Sequence, residues 1–251
     1  MKVKQFDHQY SKYYNLLYAD KNYDKEVEYV DRLLKQYSPR TNTILEYGSG
    51  TGGHGVLLNK LGYKVYGLER SEEMAEVAKS RGLECEIADI VNFSLKKYFD
   101  ACISLFHVIS YINNNDQLIR VFQNTKKHLN KNGLFIFDVW FTPAVLHQVP
   151  ETRVKRIEND EIHVTRIADP TIDHTANVVG VNYSIIIKDK ASGKYSEFAE
   201  THNMRHFGIP EIDLIAKQTG FRMIKAEEFL TGEMPGNNTW GVNFILQSTN
   251  E

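Results

Sequence analysis

The sequence predicts a doubly wound α/β protein whose mostly parallel sheet carries a small antiparallel β insertion. Two patterns carry this reading. From residue 43 to residue 139, short apolar runs alternate with segments of helical period, as in a parallel sheet covered by helices on both faces. From residue 153 to residue 206 the alternation stops and only strand-like runs remain. The composition agrees: 251 residues, 42% apolar and 25% charged, exclude a disordered chain, a collagen-like repeat and a disulfide scaffold.

Residues 10–37 read as an amphipathic helix, with Tyr10, Tyr14 and Tyr18 at spacing four, then Val27, Val30, Leu33 and Leu34. TILEY at 43–47 is a strand closed by a glycine-rich turn, and Val56–Leu61 is a helix that Gly62 ends. A second unit follows: strand Lys64–Leu68, then helix Ser71–Ser80 with Ser71 as its cap. Glu84–Ala88 and Phe99–Phe106 are strands, Asp116–Leu129 is a helix and Gly133–Val139 is a strongly apolar strand. The pattern breaks after Pro143. IHVTRIA, NVVGVNYSIIIKD and YSEFAETHNMRHF then read as strands, with DKASG at 189–193 as a hairpin turn. A short helix begins near Pro210, and two strands, 221–229 and 240–247, close the chain across TGEMPGNNT. The organisation is a core with an N-terminal helical cap at 1–149, an antiparallel insertion at 150–206 and a return to the core at 207–251.

Lys plus Arg is 30 against 32 for Asp plus Glu, so the net charge is −2 and there is no general basic field. Nucleic acid is therefore not expected as a partner. Cys85 and Cys102 lie in strand-like stretches without a CxxC partner, against a disulfide framework or a cysteine zinc site. MKVKQFDHQYSKYY lacks the apolar core of a signal peptide, and no apolar run reaches the ~18–20 residues of a membrane helix. The expected location is the cytoplasm.

The informative segment is Ile44-Leu-Glu46-Tyr-Gly48-Ser49-Gly50-Thr-Gly52-Gly53-His-Gly55, after a strand and opening a helix. Glycine makes positive φ cheap there and lets the backbone approach a ligand, while the helix start offers free N–H groups. Gly50, Gly52 and Gly55 satisfy G-x-G-x-x-G and Glu69 follows Gly50 by nineteen residues, which at face value is a dinucleotide fingerprint. Two acids favour S-adenosylmethionine (SAM) over NAD. Glu46 at the end of the first strand would repel a pyrophosphate but suits the ammonium of a methionine moiety, directly or through water. Asp89 in Ala88-Asp89-Ile90 can accept from an adenine amino group, which an NAD site does not require. Glu69 can accept from ribose hydroxyls in either case. No G-x-x-x-x-G-K-[ST] is present, which excludes a P-loop NTPase.

In order and spacing, ILEYGSGTG, GLE at 67–69 and IADI at 87–90 resemble the cofactor motifs of class I SAM-dependent methyltransferases. NLLY ending at Tyr18, KNY at 21–23, FDACISLFHVISYI, GLFIFDVW and RHF…TGF resemble the amino-sugar N-methyltransferases of nucleotide-linked deoxysugar pathways. The resemblance implies a Rossmann-like fold with a mostly parallel seven-stranded sheet, its last strand antiparallel. It also implies an insertion that covers the active site and supports a homodimer. Gly48, Ser49, Gly50 and Gly52 would wrap the methionine part of SAM. Glu69 would hold the ribose, and Arg70 would lie against the adenine, whose edge Asp89 and Ile90 would read. Leu105 and Phe106 would line the methyl-transfer site, and Tyr14 and Tyr23 would close over the cofactor. Members of that branch tend to carry Ser where this chain has His107, so a role for His107 as the base that takes the amine's proton rests on local argument.

Other residues carry two readings. Trp140 ends a core strand, where packing competes with a place in the ligand crevice. Arg153 and Arg156, in RVKR, are either a solvated edge or a contact for an anionic substrate. His202 and His206 share one face of a strand, but no third ligand completes a metal site, and none is expected. His128 reads as a solvated helix C-terminus, where positive charge is favourable. The expected activity is N-methylation of the amino group of a nucleotide-linked deoxyamino sugar. O- or carboxyl-methylation of another small molecule, an NAD oxidoreductase and a non-catalytic SAM-binding protein are the alternatives.

Overall fold

The computed structural model describes residues 16–17 and 21–249. Helix α1 (Tyr23–Tyr37) starts where the Asn22 side chain accepts the Lys25 N–H at 3.0 Å, and Asp24 and Glu26 favour its N-terminus. Val27, Val30, Leu33 and Leu34 form its buried face. Then come β1 (Thr43–Tyr47), α2 (Gly53–Lys60), β2 (Lys64–Glu69), α3 (Glu72–Ser80), β3 (Glu84–Ile87) and β4 (Phe99–Ser104). A 3-10 turn (Val108–Tyr111), α4 (Asn115–His128) and β5 (Leu129–Phe141) follow. These strands lie in the order β3-β2-β1-β4-β5, all parallel.

Side chains alternate across this sheet with period two. Leu45, Tyr47, Cys102, Phe135, Phe137 and Phe244 face α4. Ile44, Ala101, Ile103, Leu134, Ile136 and Ile245 face α1 and α2. Cys85 and Cys102 are buried free thiols. No described helix is long and apolar enough to cross a membrane.

After β5 comes α5 (Thr142–Gln148), which the sequence reading missed because Pro143 was taken as a breaker. In the first turn of a helix proline has no bond to break. The insertion comprises β6 (Arg153–Glu158), β7 (Ile162–Asp173), β8 (Val178–Asp189) and β9 (Tyr195–Phe207), antiparallel in sequence order. The hairpin turn at 189–193 is built as its residues require: Asp189 accepts the Ser192 N–H at 2.7 Å, and Gly193 takes φ +69°. Helix α6 (Ile209–Gln218), β10 (Phe221–Glu228) and β11 (Gly241–Ser248) return to the core. Strand β11 is antiparallel to both β5 and β10, completing the seven-stranded core with its antiparallel member.

The insertion is not a detached sheet. Strand β9 pairs in parallel with the end of β5 through Trp140–His206 and Phe141–Phe207, so one sheet of 11 strands runs from core to lid. Its near side packs on the core: Val164, Ile185 and Phe198 bury Leu17 and Met74, and the Lys155 ammonium donates to the Leu17 carbonyl at 2.7 Å.

His206 sits fully buried at this junction, its Nδ1 2.9 Å from the Thr142 hydroxyl. Burial, and then the charges of His174 and Arg205, hold its pKa down at about 4. The folded state therefore refuses a proton that the unfolded chain accepts near pH 6.5, so stability is lost as pH falls from about 6.5 toward 4. His206→Gln should lose less Tm than the wild type between pH 7 and pH 5. Equal losses in thermal melts would place the acid sensitivity elsewhere.

Candidate functional site

Strand β1 ends at Tyr47, and the chain turns through Gly48 at φ +61° and Gly50 at φ +54°. A Cβ on Gly48 would lie 2.6 Å from Val108 Cγ2, so only glycine lets the loop approach the 3-10 turn. A Cβ on Gly50 would meet nothing within 4 Å, so that backbone is open to the cleft. Glu69, ending β2, secures the turn. Its Oε2 accepts the Gly50 N–H at 2.9 Å and its Oε1 accepts the Ser71 N–H at 2.8 Å, at the cap of α3.

Above this turn lies a cleft of about 490 Å³. Gly48, Ser49 and Gly50 form part of its wall, with Glu69 and Arg70 from the end of β2. Asp89 and Ile90 come from the loop after β3, where Asp89 Oδ1 also accepts the Val91 N–H at 2.8 Å. Leu105, Phe106 and His107 come from the end of β4, Trp140 from β5 and Tyr23 from α1. Four expected residues do not line it. Glu46 lies fully buried beneath the loop, and Gly52 caps α2 in the left-handed conformation against Ala78. Arg153 and Arg156 are exposed on the edge strand β6, away from the cleft wall. Tyr10, Tyr14 and Tyr18 lie outside the described residues.

Phe106 and His107 both take positive φ, 64° and 62°. Two consecutive non-glycine residues there are strained, typically by roughly 1–3 kcal/mol each, and the surroundings must hold them. Asp138, buried on β5, does so. Its Oδ1 accepts the His107 N–H at 3.2 Å, and its Oδ2 lies 2.7 Å from His107 Nδ1. Burial pushes the Asp138 carboxyl up, but the His107 contacts and the Lys21 charge together hold it below the usual range. The contact is off-axis for a hydrogen bond, but the carboxylate charge beside Nδ1 favours a proton on that nitrogen over one on Nε2.

Sequence reasoning gave no role to a buried polar cluster beside the loop. His54 Nε2 is 2.6 Å from Glu26 Oε2, and Nδ1 is 3.7 Å from Glu46 Oε1. Burial lowers the His54 pKa, so the ring is neutral near pH 7. The Lys21 ammonium is 3.2 Å from Glu26 and 3.5 Å from the centre of the Phe106 ring. Both Lys21 and His54 fall inside motifs visible in the sequence, KNY and the glycine loop. The lid side of the cleft was harder to see: Val181, Tyr183, His202 and Met204 reach it from β8 and β9, opposite Tyr111. His202 Nδ1 lies 2.6 Å from the Tyr111 hydroxyl, and its Nε2 is 3.4 Å from Glu200. His206, four residues on, turns to Thr142 instead, so the two histidines do not converge.

Glu46 is strongly perturbed. Burial, with repulsion from Glu69, raises its pKa to about 8, and Oε2 has no hydrogen-bond partner. The folded state therefore holds a proton that the unfolded chain releases, and stability is lost as pH rises from about 4.5 to 8. Glu46→Gln should raise Tm at pH 8 by roughly 2–6 °C over the wild type, and the gap should close by pH 5. A constant gap across that range would show that Glu46 is ionised throughout.

Comparisons with known proteins bear on this arrangement. A dTDP-3-amino-3,4,6-trideoxy-alpha-D-glucopyranose N,N-dimethyltransferase of Streptomyces venezuelae is 24% identical, over 89% of this chain and 92% of that protein. The crystal structure of the sugar N-methyltransferase KedS8 from Streptoalloteichus sp ATCC 53650 superposes with a TM-score of 0.82 at 19% identity, covering 100% of this chain and 96% of that one. A S-adenosylmethionine-dependent methyltransferase from Clostridium acetobutylicum ATCC 824 gives 0.81 at 21% identity, covering 96% and 97%. These likenesses extend the Rossmann-like fold through the lid. The family model described as "Methyltransferase domain" matches residues 18–226, from before α1 to the middle of β10, and the chain belongs to that family.

Proposed function

We propose that the protein transfers a methyl group from SAM to the amino group of a nucleotide-linked deoxyamino sugar. The observation that carries this is one cleft in which a glycine turn, Glu69 and Asp89 share a wall with His107, while an aromatic and histidine surface from the lid faces them. The residues fit SAM. The open face of Gly50, the Glu69 carboxylate and the Asp89–Ile90 edge line one cleft, as the methionine, ribose and adenine parts of one elongated ligand would require. When bound, SAM supplies a methyl group already activated by its sulfonium. The protein's task is then alignment and exclusion of water. The Gly48–Gly50 backbone and Glu69 hold the donor, and Leu105 and Phe106 border the place of transfer. Trp140, Tyr183 and Met204 exclude water on the acceptor side.

The acceptor amine must present its lone pair. His107 Nε2 takes the amine's proton, and Asp138 steadies the resulting imidazolium through Nδ1. The sugar class is supported by the Streptomyces venezuelae relative and by the likeness to KedS8, both named as sugar-directed N-methyltransferases. The free buried thiols suit a reducing compartment, in keeping with a cytoplasmic enzyme.

Calorimetric titration of the Glu69→Ala protein with SAM should show binding weaker by roughly 1.5–3 kcal/mol, the range for lost charge-assisted hydrogen bonds. Unchanged affinity in a folded variant would remove Glu69 from the cofactor site. His107→Asn should bind SAM normally but lower kcat on the order of 10–100-fold, below the usual general-base effect because a free amine also deprotonates in solvent. Its acid-side activity limb should shift. Full kcat with an unchanged pH profile would leave His107 as packing.

A further inference from the structure

Asp138 is not alone behind His107. Strand β11 sets Asn243 directly opposite Asp138 on β5, and β10 sets Glu227 directly opposite Asn243. Residues paired in this way share a face of the sheet, with Cβ atoms about 4.5–5.5 Å apart. The face is the one that α1 covers, where the Tyr29 hydroxyl donates to Glu227 Oε1 at 2.7 Å. Asp138, Asn243 and Glu227 are 1%, 0% and 2% exposed, so two buried carboxylates flank one buried amide. Glu227 is satisfied by Tyr29 and by the half-exposed Lys225 ammonium at 2.5 Å. Asn243 is not: neither its Nδ2 nor its Oδ1 has a hydrogen-bond partner, although the Tyr29 hydroxyl is near enough to feel the amide. Asp138 Oδ2 also lacks an aligned partner, because the His107 Nδ1 contact is off-axis.

An unpaired acceptor and an unpaired donor thus sit side by side on neighbouring strands. Leaving either one unpaired in the interior is costly, whereas an apolar residue in place of Asn243 would carry no such cost. Packing alone therefore does not account for an amide at this position. A donor for Asp138 does. One Nδ2 hydrogen turned to Oδ2 relieves both atoms and leaves the second for Glu227 or the Tyr29 oxygen. Resting on the reading of His107 as the base, we infer that Asn243 is a positioning residue for it: the amide donates to Asp138 Oδ2 and fixes the carboxylate where it meets both the His107 N–H and Nδ1. Asp138 is what holds the strained backbone at His107, so the orientation of this carboxylate sets the place of the ring. An amide also separates the two acids without adding a third charge, which an aspartate there would bring.

Asn243→Val and Asn243→Thr test this as a pair. The two side chains have one shape and both suit a strand, but only threonine keeps a donor, so a loss of packing alone affects them equally. Asn243→Val should lower kcat by roughly 3–10-fold, less than removal of the base itself, and Asn243→Thr should recover part of it. Adding Asn243→Val to His107→Asn should lower kcat no further than His107→Asn alone, because the amide acts through that ring. Nitrogen-15 NMR of the histidine rings reads the arrangement without turnover. Neutral His107 should carry its proton on Nδ1 in the wild type and in Asn243→Thr, and shift toward Nε2–H in Asn243→Val. Equal kcat and equal ring spectra in the two variants would overturn the proposal, as would full additivity with His107→Asn. The wild-type spectrum alone would do so if the main neutral form were Nε2–H. Full kcat in His107→Asn would instead sink the reading of His107 as the base, while a tautomer difference between the valine and threonine variants would still assign Asn243 its place behind Asp138.

Discussion

The arrangement of the site hangs on one carboxylate. Glu69 accepts an N–H from Gly50 in the turn after β1 and another from Ser71 at the start of α3. The turn after β1 and the start of α3, which belong to successive β–α units, are thereby held at a fixed separation across the end of the sheet. A neutral side chain there could satisfy one of these donors well but not both with the strength of a charged acceptor. Gly50 needs φ +54° and open space, and Gly48 needs contact with Val108, so glycine and carboxylate are parts of one device. Each oxygen keeps a lone pair after its backbone bond, so the group that braces the turn can also hold a ligand's hydroxyls.

The lid depends on a second, smaller joint. Only Trp140–His206 and Phe141–Phe207 tie β9 to β5, yet they place β8 and β9 where Val181, Tyr183, His202 and Met204 face the glycine turn. The insertion therefore continues the sheet at the carboxyl ends of the strands, where α/β proteins form their ligand crevices. Neutral, buried His206 at that joint makes the lid's attachment sensitive to acid while the core strands, held by long parallel ladders, are not directly involved.

Much of this was legible in the sequence because period and spacing report it directly. The core strands, the capped start at Ser71, the 189–193 turn and the order of Glu69 after the glycines and before Asp89 follow from local pattern. What was not legible depends on register or on direction into the interior. Glu46 sits two residues from Gly48, as a ligand-facing acid would, but the strand turns its side chain under the loop. Arg153 and Arg156 look like an anion site by charge alone, yet pairing puts them on the outermost strand. Conversely His202 and Tyr183 gain a place in the cleft only once β8 pairs with β9 and both fold over Tyr111. Pro143 misled for a simpler reason: a proline breaks a helix in its middle and fits one at its start.

The polar residues around the loop show how a buried site can hold several acids without collapsing under their repulsion. Each has a different means of relief. Asp138 has His107, Glu26 has His54 and Lys21, and Glu69 has two backbone N–H groups. Glu46 is left with the weakest contacts and responds by holding its proton to about pH 8. Burial, more than the repulsion from Glu69, raises Glu46, and the ionised acids around it disfavour an anion nearby and favour a cation. The strained pair Phe106–His107 sits at the edge of this field, fixed by Asp138, so backbone strain and buried charge coincide at this end of the cleft. Relaxing either would free the His107 ring from the position in which Asp138 holds it.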